Sequence, residues 1–483
     1  MSLKKQAISG VIWTLTQQFS VQIINLGTQI ILARLLVPEE FGMIAMLQIF
    51  IAIGTNLLDG GMTSSLIRTL KADQRDYSTV FFMNLIISVF LYFLIFGISP
   101  FVATFYNQPL LTSLLRVYAI SFIIRALVAV QTTKLTKEMN FKLQMKMQIP
   151  SVIIGGAVGI YLAVKGYGVW SLVWLNLVQS FFFMIMHWYF SDWRPKWIID
   201  RVKLKEHFSF GYKITLSSIL YTIYKNLYNI VIGKYFSAAQ VGFYYQAETL
   251  RMYPVQQITT ALDKVTYPLF SSIQNDDLQL KNFYKKTMQA VLFLVVPVMA
   301  FLIIYAEGIF SLVLGNKWLP AVPFFQILCI SASLQPLQTY NLNILKVKGR
   351  TDLLLKLNVI TKIIPMTLIF VIIPFGIFGL IWFQTLFAFI LFYINSYYSG
   401  RFINYKFKEQ IKHIWKIFIA SIIAGISTLF IHNLLLNPFE FPIYIEIIIG
   451  LIVFGSIYLT IAYYTIDIFG FYSKILKINN LKK

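Results

Sequence analysis

The chain has 483 residues, of which 58% are apolar and 17% aromatic while 12% are charged, against the roughly 25% charged usual in soluble domains. This composition excludes a soluble globular protein. The net charge of +22 would suit a nucleic-acid binder, but most of the basic residues lie at the termini and in alternate loops between apolar runs, and that placement speaks against DNA or RNA as their partner.

Apolar runs of about 18 or more residues, enough to cross a bilayer core of ~30 Å, predict an all-α polytopic membrane protein of about fourteen transmembrane helices. The spans are 11–33, 42–66, 80–105, 112–133, 145–164, 168–190, 213–233, 243–270, 287–306, 323–345, 357–374, 376–399, 414–433 and 443–464. The first is read as a retained helix rather than a signal peptide, because it is too long and carries Gln17, Gln18, Gln22, Asn25 and Gln29. Thr14, Gln18, Gln22, Asn25 and Gln29 are spaced by 4, 4, 3 and 4 residues, which puts all five on one helical face. Carboxamides facing lipid would cost several kcal/mol each, so this face must meet protein or water.

The second span ends in LLDGG, where Asp59 serves either in a cap or kink or in ion coupling. The fourth carries Arg125 near mid-depth. The seventh presents Ser218, Thr222, Lys225 and Asn229, and the eighth Glu248 and Arg251, three residues apart and able to pair with each other. A charge at mid-depth is costly and marks a functional candidate. Of the 41 Lys and Arg residues, about three quarters lie at the termini and in alternate loops, near Arg68, Lys137, Arg201, Lys285, Lys348 and Lys408. The intervening loops hold only Lys165, Lys234 and Lys317. By the positive-inside rule both termini are cytoplasmic.

The single Cys329 lies in an apolar span, and the four histidines are scattered without ligand spacing, so no metal or cofactor is expected. The outer loops offer little beyond Glu39, Glu40, Glu307 and Glu440, and no nucleotide-binding loop occurs. The chain is therefore read as a non-enzyme.

Two stretches, GVWSLVW (168–174) and GIFGLIW (376–382), match at an offset of 208, and ILARLLVPEEFG (31–42) matches VIGKYFSAAQVG (231–242) at an offset of 200. The order is conserved, which implies an internal duplication of six spans per copy: a first lobe at 1–200, a second at 201–405, and two further helices with a basic tail at 406–483. Six is even, so both copies enter the membrane in the same sense, and a pseudo-two-fold axis along the membrane normal can relate them. The offset of 200 carries Gln18, Gln22, Asn25 and Gln29 onto Ser218, Thr222, Lys225 and Asn229. The polar stripe is duplicated with the fold. Equivalent faces turned to the axis would flank a hydrated central cleft; the bland alternative is a dry bundle glued by interhelical hydrogen bonds.

The excess of basic over acidic groups at depth favours an anionic cargo such as a lipid diphosphate headgroup, with Tyr221, Tyr224 and Tyr228 beside Lys225 offering surfaces to sugar.

LLDGGMTSSLIR with DYSTVFFMNL (57–85), LTKEMNFK (135–142), SAAQVGFYYQAETLRMYP (237–254), YPLFSSIQND (267–276) and LGNKWLPAVPFFQIL (314–328) follow one another in order. In these the chain resembles the polysaccharide transporter branch of the multidrug/oligosaccharidyl-lipid/polysaccharide exporter superfamily, the O-antigen-repeat flippases. The resemblance implies two pseudo-symmetric six-helix lobes of the MATE type around a V-shaped cavity, plus two C-terminal helices. It also implies transfer of an undecaprenyl-diphosphate-linked oligosaccharide across the bacterial inner membrane by alternating access, for O-antigen, capsule or exopolysaccharide synthesis. The implied partners are that lipid-linked oligosaccharide, membrane lipids, and a polymerase and other glycan-assembly proteins. The cationic cavity of such transporters corresponds in character to Arg125, Lys225 and Arg251. A drug exporter of the same fold would want acidic residues at depth, and an integral-membrane enzyme of glycan assembly would want catalytic carboxylates in its outer loops.

Overall fold

A computed structural model describes residues 3–436 and 441–465, and every regular element in them is helical. In chain order these are α1 (Leu3–Leu35), α2 (Pro38–Asp59), α3 (Met62–Arg68), α4 (Gln74–Tyr106), α5 (Leu110–Tyr118), α6 (Ile120–Lys137), α7 (Phe141–Val164), α8 (Trp170–Phe190) and α9 (Arg201–Tyr235). There follow α10 (Ala238–Ser272), α11 (Asp277–Ile304), α12 (Ala306–Val313), α13 (Val322–Ala332), α14 (Gln335–Val347), α15 (Thr351–Ile372), α16 (Gly376–Phe402), α17 (Phe407–Ile431) and α18 (Ile443–Thr465). The expected outer loop at Glu440 and the basic tail at 466–483 lie outside the described residues.

Ten stretches are long and apolar enough to cross a bilayer, one of them, Thr351–Phe402, containing both α15 and α16. The chain is a multi-pass membrane protein. Helices α1, α9 and α10, of 33, 35 and 35 residues, are not among the ten; they are the helices on which the polar stripes and the Arg251–Glu248 pair were expected. The span expected at 42–66 is broken by the Gly60–Gly61 turn, and those expected at 112–133 and 323–345 are each divided, the former at Ala119 and the latter at Ser333–Leu334. In the last of these, Pro336 near the start of α14 has no N–H to return to the carbonyl four residues back, so the helix restarts there.

Internal contacts divide the chain into two compact units, Met1–Gly242 and Phe243–Lys483. The boundary falls beyond residue 200 because α9 packs along α2, α3 and α4. Elsewhere in the first unit α7 packs on α8 and α1, and α6 on α4 and α8. The unwound stretch between α8 and α9 is tied to the first turns of α4: Gln74 Nε2 donates to Arg194 O at 2.8 Å, Trp193 Nε1 to Gln74 Oε1 at 2.7 Å, and the Lys196 and Asp200 amides to Ser78 Oγ and Thr79 Oγ1 at 3.0 Å each. Lys137 Nζ reaches the carbonyl of Leu66, 3.3 Å away, and that of Thr69. The basic loops of this unit therefore gather at one end. Lys234 Nζ donates to Phe105 O at 2.8 Å, which brings two of the other set of loops together.

The repeated stretches share local chemistry. Glu40 Oε2 accepts the Val37 N–H at 2.9 Å at the start of α2, and 200 residues later Gln240 Oε1 accepts the Ser237 N–H at 3.2 Å at the start of α10. Gly168 and Gly376, equivalent in the other repeated pair, both take positive φ, +57° and +75°, which glycine adopts without steric cost. At Gly42 a Cβ would lie 1.9 Å from Ala238 O, and at Gly242 a Cβ would lie 1.9 Å from Pro38 O. The contact is reciprocal under the offset of 200, and backbone meets backbone because neither residue has a side chain.

In the second unit α11 packs on α17, α17 on α18, and α16 on α13, α14 and α15. Its basic loops also meet: Lys281 Nζ lies 3.0 Å from Glu409 Oε2 and Lys348 Nζ 2.5 Å from Asp277 Oδ1. Buried Asn341 on α14 accepts hydrogen bonds from Tyr284 Oη of α11 at 2.8 Å and from Ser399 Oγ of α16, and donates to Ser396 Oγ at 3.2 Å; Ser396 in turn donates to Gln410 Oε1 of α17 at 3.0 Å. Four helices are joined through one carboxamide. Asn341→Ala strands two buried donors, so it is expected to destabilise the protein by about 1–3 kcal/mol per stranded group; thermal unfolding in detergent is the measurement, and an unchanged midpoint would mean that the network contributes nothing.

Candidate substrate-binding site

The five-residue face of α1 is only partly covered. Gln18 and Asn25 are exposed, and Thr14, Gln22 and Gln29 are half-buried. Thr28, on a neighbouring face, packs closely on α7, its Oγ1 lying 2.8 Å from where a Cβ of Gly156 would be. Gln17 Nε2 donates to Gln148 Oε1 of the same helix α7. The α7 side of α1 is thus glued, and among the described residues Asn25 and Gln22 have no hydrogen-bond partner.

On α9 the duplicated stripe divides. Thr222 is buried and its Oγ1 accepts from Asn56 Nδ2 of α2 at 2.8 Å, so it faces α2 and acts as interhelical glue. Ser218 is half-buried, and so is Asn229, whose Oδ1 is buried without a hydrogen-bond partner among the described residues. Lys225 is exposed and pairs with no carboxylate among the described residues. It stands between these positions, one turn of helix from Thr222 and from Asn229.

Arg125 on α6 is half-buried, and its Nε is buried with no hydrogen-bond partner among the described residues. Ser121, one turn before it, has a buried hydroxyl in the same condition. Arg251 is placed differently. Its Nε and Nη2 donate to the two carboxylate oxygens of Glu248 at 2.6 and 2.8 Å, and its Nη1 to Leu328 O and Ser331 Oγ at 3.2 Å each. Only 6% of Arg251 is exposed. Both residues thus take the pairing alternative, inside the second unit, and Glu248 has both oxygens occupied.

Asp59 closes α2. Its Oδ1 accepts the Thr63 amide at 3.2 Å across the Gly60–Gly61 turn, whose φ angles are +53° and +67°. This is the capping role. Gly60 and Gly61 let the turn lie directly on α9, where a Cβ on Gly211 would be 2.1 Å from Gly60 O.

The reading of the residues missed Asn84 and Gln131, both wholly buried with neither end of the carboxamide partnered among the described residues. It also missed Asp76 and His207, wholly buried and hydrogen-bonded to each other. No spacing signal marks these four, because their neighbourhood is made by helices far apart in sequence.

An all-helical multi-pass membrane protein carrying, among the described residues, an unpartnered Arg125 Nε and a Lys225 without a carboxylate is the class of protein this geometry defines. Residues 31–323 match the family described as "Polysaccharide biosynthesis protein", and the chain belongs to that family. It is similar to the teichuronic acid biosynthesis protein TuaB of Bacillus subtilis, with 26% identity over 73% of this chain and 73% of that one, and to the lipopolysaccharide biosynthesis protein WzxC of Escherichia coli, with 24% identity over 74% and 73%. Among solved structures, the lipid II flippase MurJ in an inward closed conformation superposes with a TM-score of 0.75 at 15% identity, covering 94% of this chain and 99% of that one. That likeness is one of fold.

Proposed function

We propose that this protein is a flippase that moves a lipid-diphosphate-linked oligosaccharide across the bacterial cytoplasmic membrane by alternating access, with fourteen spans in two six-helix lobes and two added helices. The observation that carries the reading is Lys225, a cation within the long helix α9, exposed and without a carboxylate partner among the described residues, at a position the sequence places inside the seventh expected span. In hydrocarbon such a group is costly, whereas beside a diphosphate it makes charge-assisted hydrogen bonds. Arg125, with its unpartnered Nε, is the second candidate for the headgroup. Gln18, Gln22, Asn25 and Gln29 on α1, with Ser218 and Asn229 on α9, are proposed to meet the sugars through carboxamide and hydroxyl groups. The family and the names of TuaB and WzxC support a saccharide cargo, and the MurJ fold supports a lipid-linked one. A polymerase acting on the delivered unit is the proposed downstream partner. Arg251 and Glu248 are assigned to stability and Asp59 to the α2–α3 turn.

The proposed orientation has its own test. Single cysteines at Lys137, Arg201, Lys348 and Lys408, in a Cys329→Ala background, should resist an impermeant maleimide added to intact cells. Those at Glu39, Asn107 and Lys317 should react. Labelling of the first group from outside would invert the topology.

A further inference from the structure

Asp76 and His207 are wholly buried and take no part in the polar stripes. His207 Nε2 lies 3.1 Å from Asp76 Oδ1, and Ser65 Oγ lies 2.8 Å from His207 Nδ1. The same Asp76 Oδ1 receives Lys203 Nζ at 3.1 Å, whose side chain is 31% exposed. Asp76 Oδ2 accepts the Asp73 amide at 2.9 Å. Ser65 belongs to α3, Asp76 to α4, and Lys203 and His207 to α9, so the chain of contacts ties three helices and runs from a buried hydroxyl to a surface ammonium.

The hydrogen bonds fix the tautomer. An ionised carboxylate only accepts, so Nε2 must carry a proton, and in the neutral ring Nδ1 accepts from the Ser65 hydroxyl. If Nδ1 takes a proton from water, it becomes a donor and the Ser65 hydroxyl must turn to accept. The hydroxyl hydrogen then turns to a main-chain carbonyl of the preceding turn, the usual acceptor for a helical serine. No bond breaks within the protein and one net positive charge is gained. In the neutral state the buried Asp76 charge is balanced by Lys203 from the surface; in the protonated state it is balanced by a buried imidazolium as well. We propose that His207 is a proton-binding site of this protein, and that its protonated form clamps α9 to α3 and α4.

The surroundings allow both states. From α9 the charged neighbours are Lys203 and Glu206, 3.8 Å apart. From the start of α4 they are Asp76 and its cap Asp73. From α3 Arg68 is drawn away onto the Phe210 ring, 4.7 Å from its centroid, and from α6 Lys137 is held by the Leu66 and Thr69 carbonyls. Lys203, partly exposed, is thus the cation of the group free to adjust its position when His207 gains charge. Because α9 also carries Lys225, proton binding here acts on the helix that holds the proposed headgroup contact. The site itself is defined without reference to any cargo.

The test uses the full chain in lipid nanodiscs without substrate, so its result is independent of the flippase reading. Spin labels on cysteines at Leu70 and Val202, 94% and 76% exposed, in a Cys329→Ala background report the separation of the α3 end from the start of α9. Histidine changes charge between about pH 5 and 8. Across that range the ratio of short- to long-distance populations should rise several-fold toward low pH, because the state that binds the proton more tightly gains population as protons are added. His207→Gln, which keeps an N–H for Asp76, should make the ratio independent of pH. A ring-labelled histidine resonance that titrates over the same range, and whose midpoint moves in Ser65→Ala, should identify the site should the glutamine variant fail to insert. Distances that do not respond to pH, a response that persists in His207→Gln, or no histidine resonance sensitive to Ser65→Ala would each overturn the proposal.

Discussion

Lys225→Ala should leave a folded, membrane-inserted protein that no longer delivers glycan to the cell surface. Removing a charge that contacts a phosphate forfeits about 1.5–3 kcal/mol, which is on the order of 10- to 100-fold in flux at limiting substrate. Lys225→Arg retains the charge and a denser set of donors and should keep part of the activity. The competing explanation, that Lys225 is held by Glu248, predicts loss of protein rather than loss of transport, with rescue when both charges are removed. Both oxygens of Glu248 are bonded to Arg251, so Glu248→Gln should instead destabilise through Arg251. Complementation of a flippase-deficient strain, with expression measured in parallel, separates these outcomes; full export by Lys225→Ala at normal expression would remove the residue from the site.

The second large effect is expected at the glycine contact. A methyl group at Gly42 would sit 1.9 Å from Ala238 O, a separation no carbon and oxygen tolerate, so Gly42→Ala must drive the starts of α2 and α10 apart. Overpacking of this kind costs about 1–3 kcal/mol, and more where backbone rather than a side chain must move. Gly242→Ala should cost a similar amount, since its methyl would meet Pro38 O at the same distance. Once the backbones have parted, the second methyl meets little, so the double substitution should cost clearly less than the sum of the two. Unfolding midpoints of the four proteins make the cycle. Additive losses would mean that the two glycines do not share one contact.

Much of the architecture is legible in the sequence, because a bilayer imposes its thickness on the chain. Any run of apolar residues long enough to satisfy its own backbone hydrogen bonds across the core becomes a helix. Hence most of the expected spans coincide with described helices, although those at 42–66, 112–133 and 323–345 are broken by turns, and the basic loops of each unit come together at one end. The likeness of the repeated stretches is legible as well, since Val37 and Glu40 recur as the capping pair Ser237 and Gln240, and Gly42 as Gly242. The stripe on α1 follows from helical periodicity alone.

What periodicity leaves open is the partner of each polar group, and that was decided by tertiary packing. Thr222 lies on the expected stripe yet meets Asn56, 166 residues away in sequence, while Lys225, less than one turn further, is exposed. A helical stripe is wide enough to span both a packed face and an open one, so membership of the stripe does not fix the role. Arg251 and Glu248 were legible as a pair because their spacing is local; Leu328 O and Ser331, which complete the guanidinium's bonding, were not. The Ser65–His207–Asp76 contacts join residues up to 142 apart. Taken singly, each looks like an ordinary residue near a basic loop. The sequence by itself determined the helices, their repetition and the sign of the charge carried into the membrane, because these depend on composition and on spacing along one helix. Only the packing of one helix on another decided which of those charged and polar groups are bonded to protein and which are left open to a ligand or a proton.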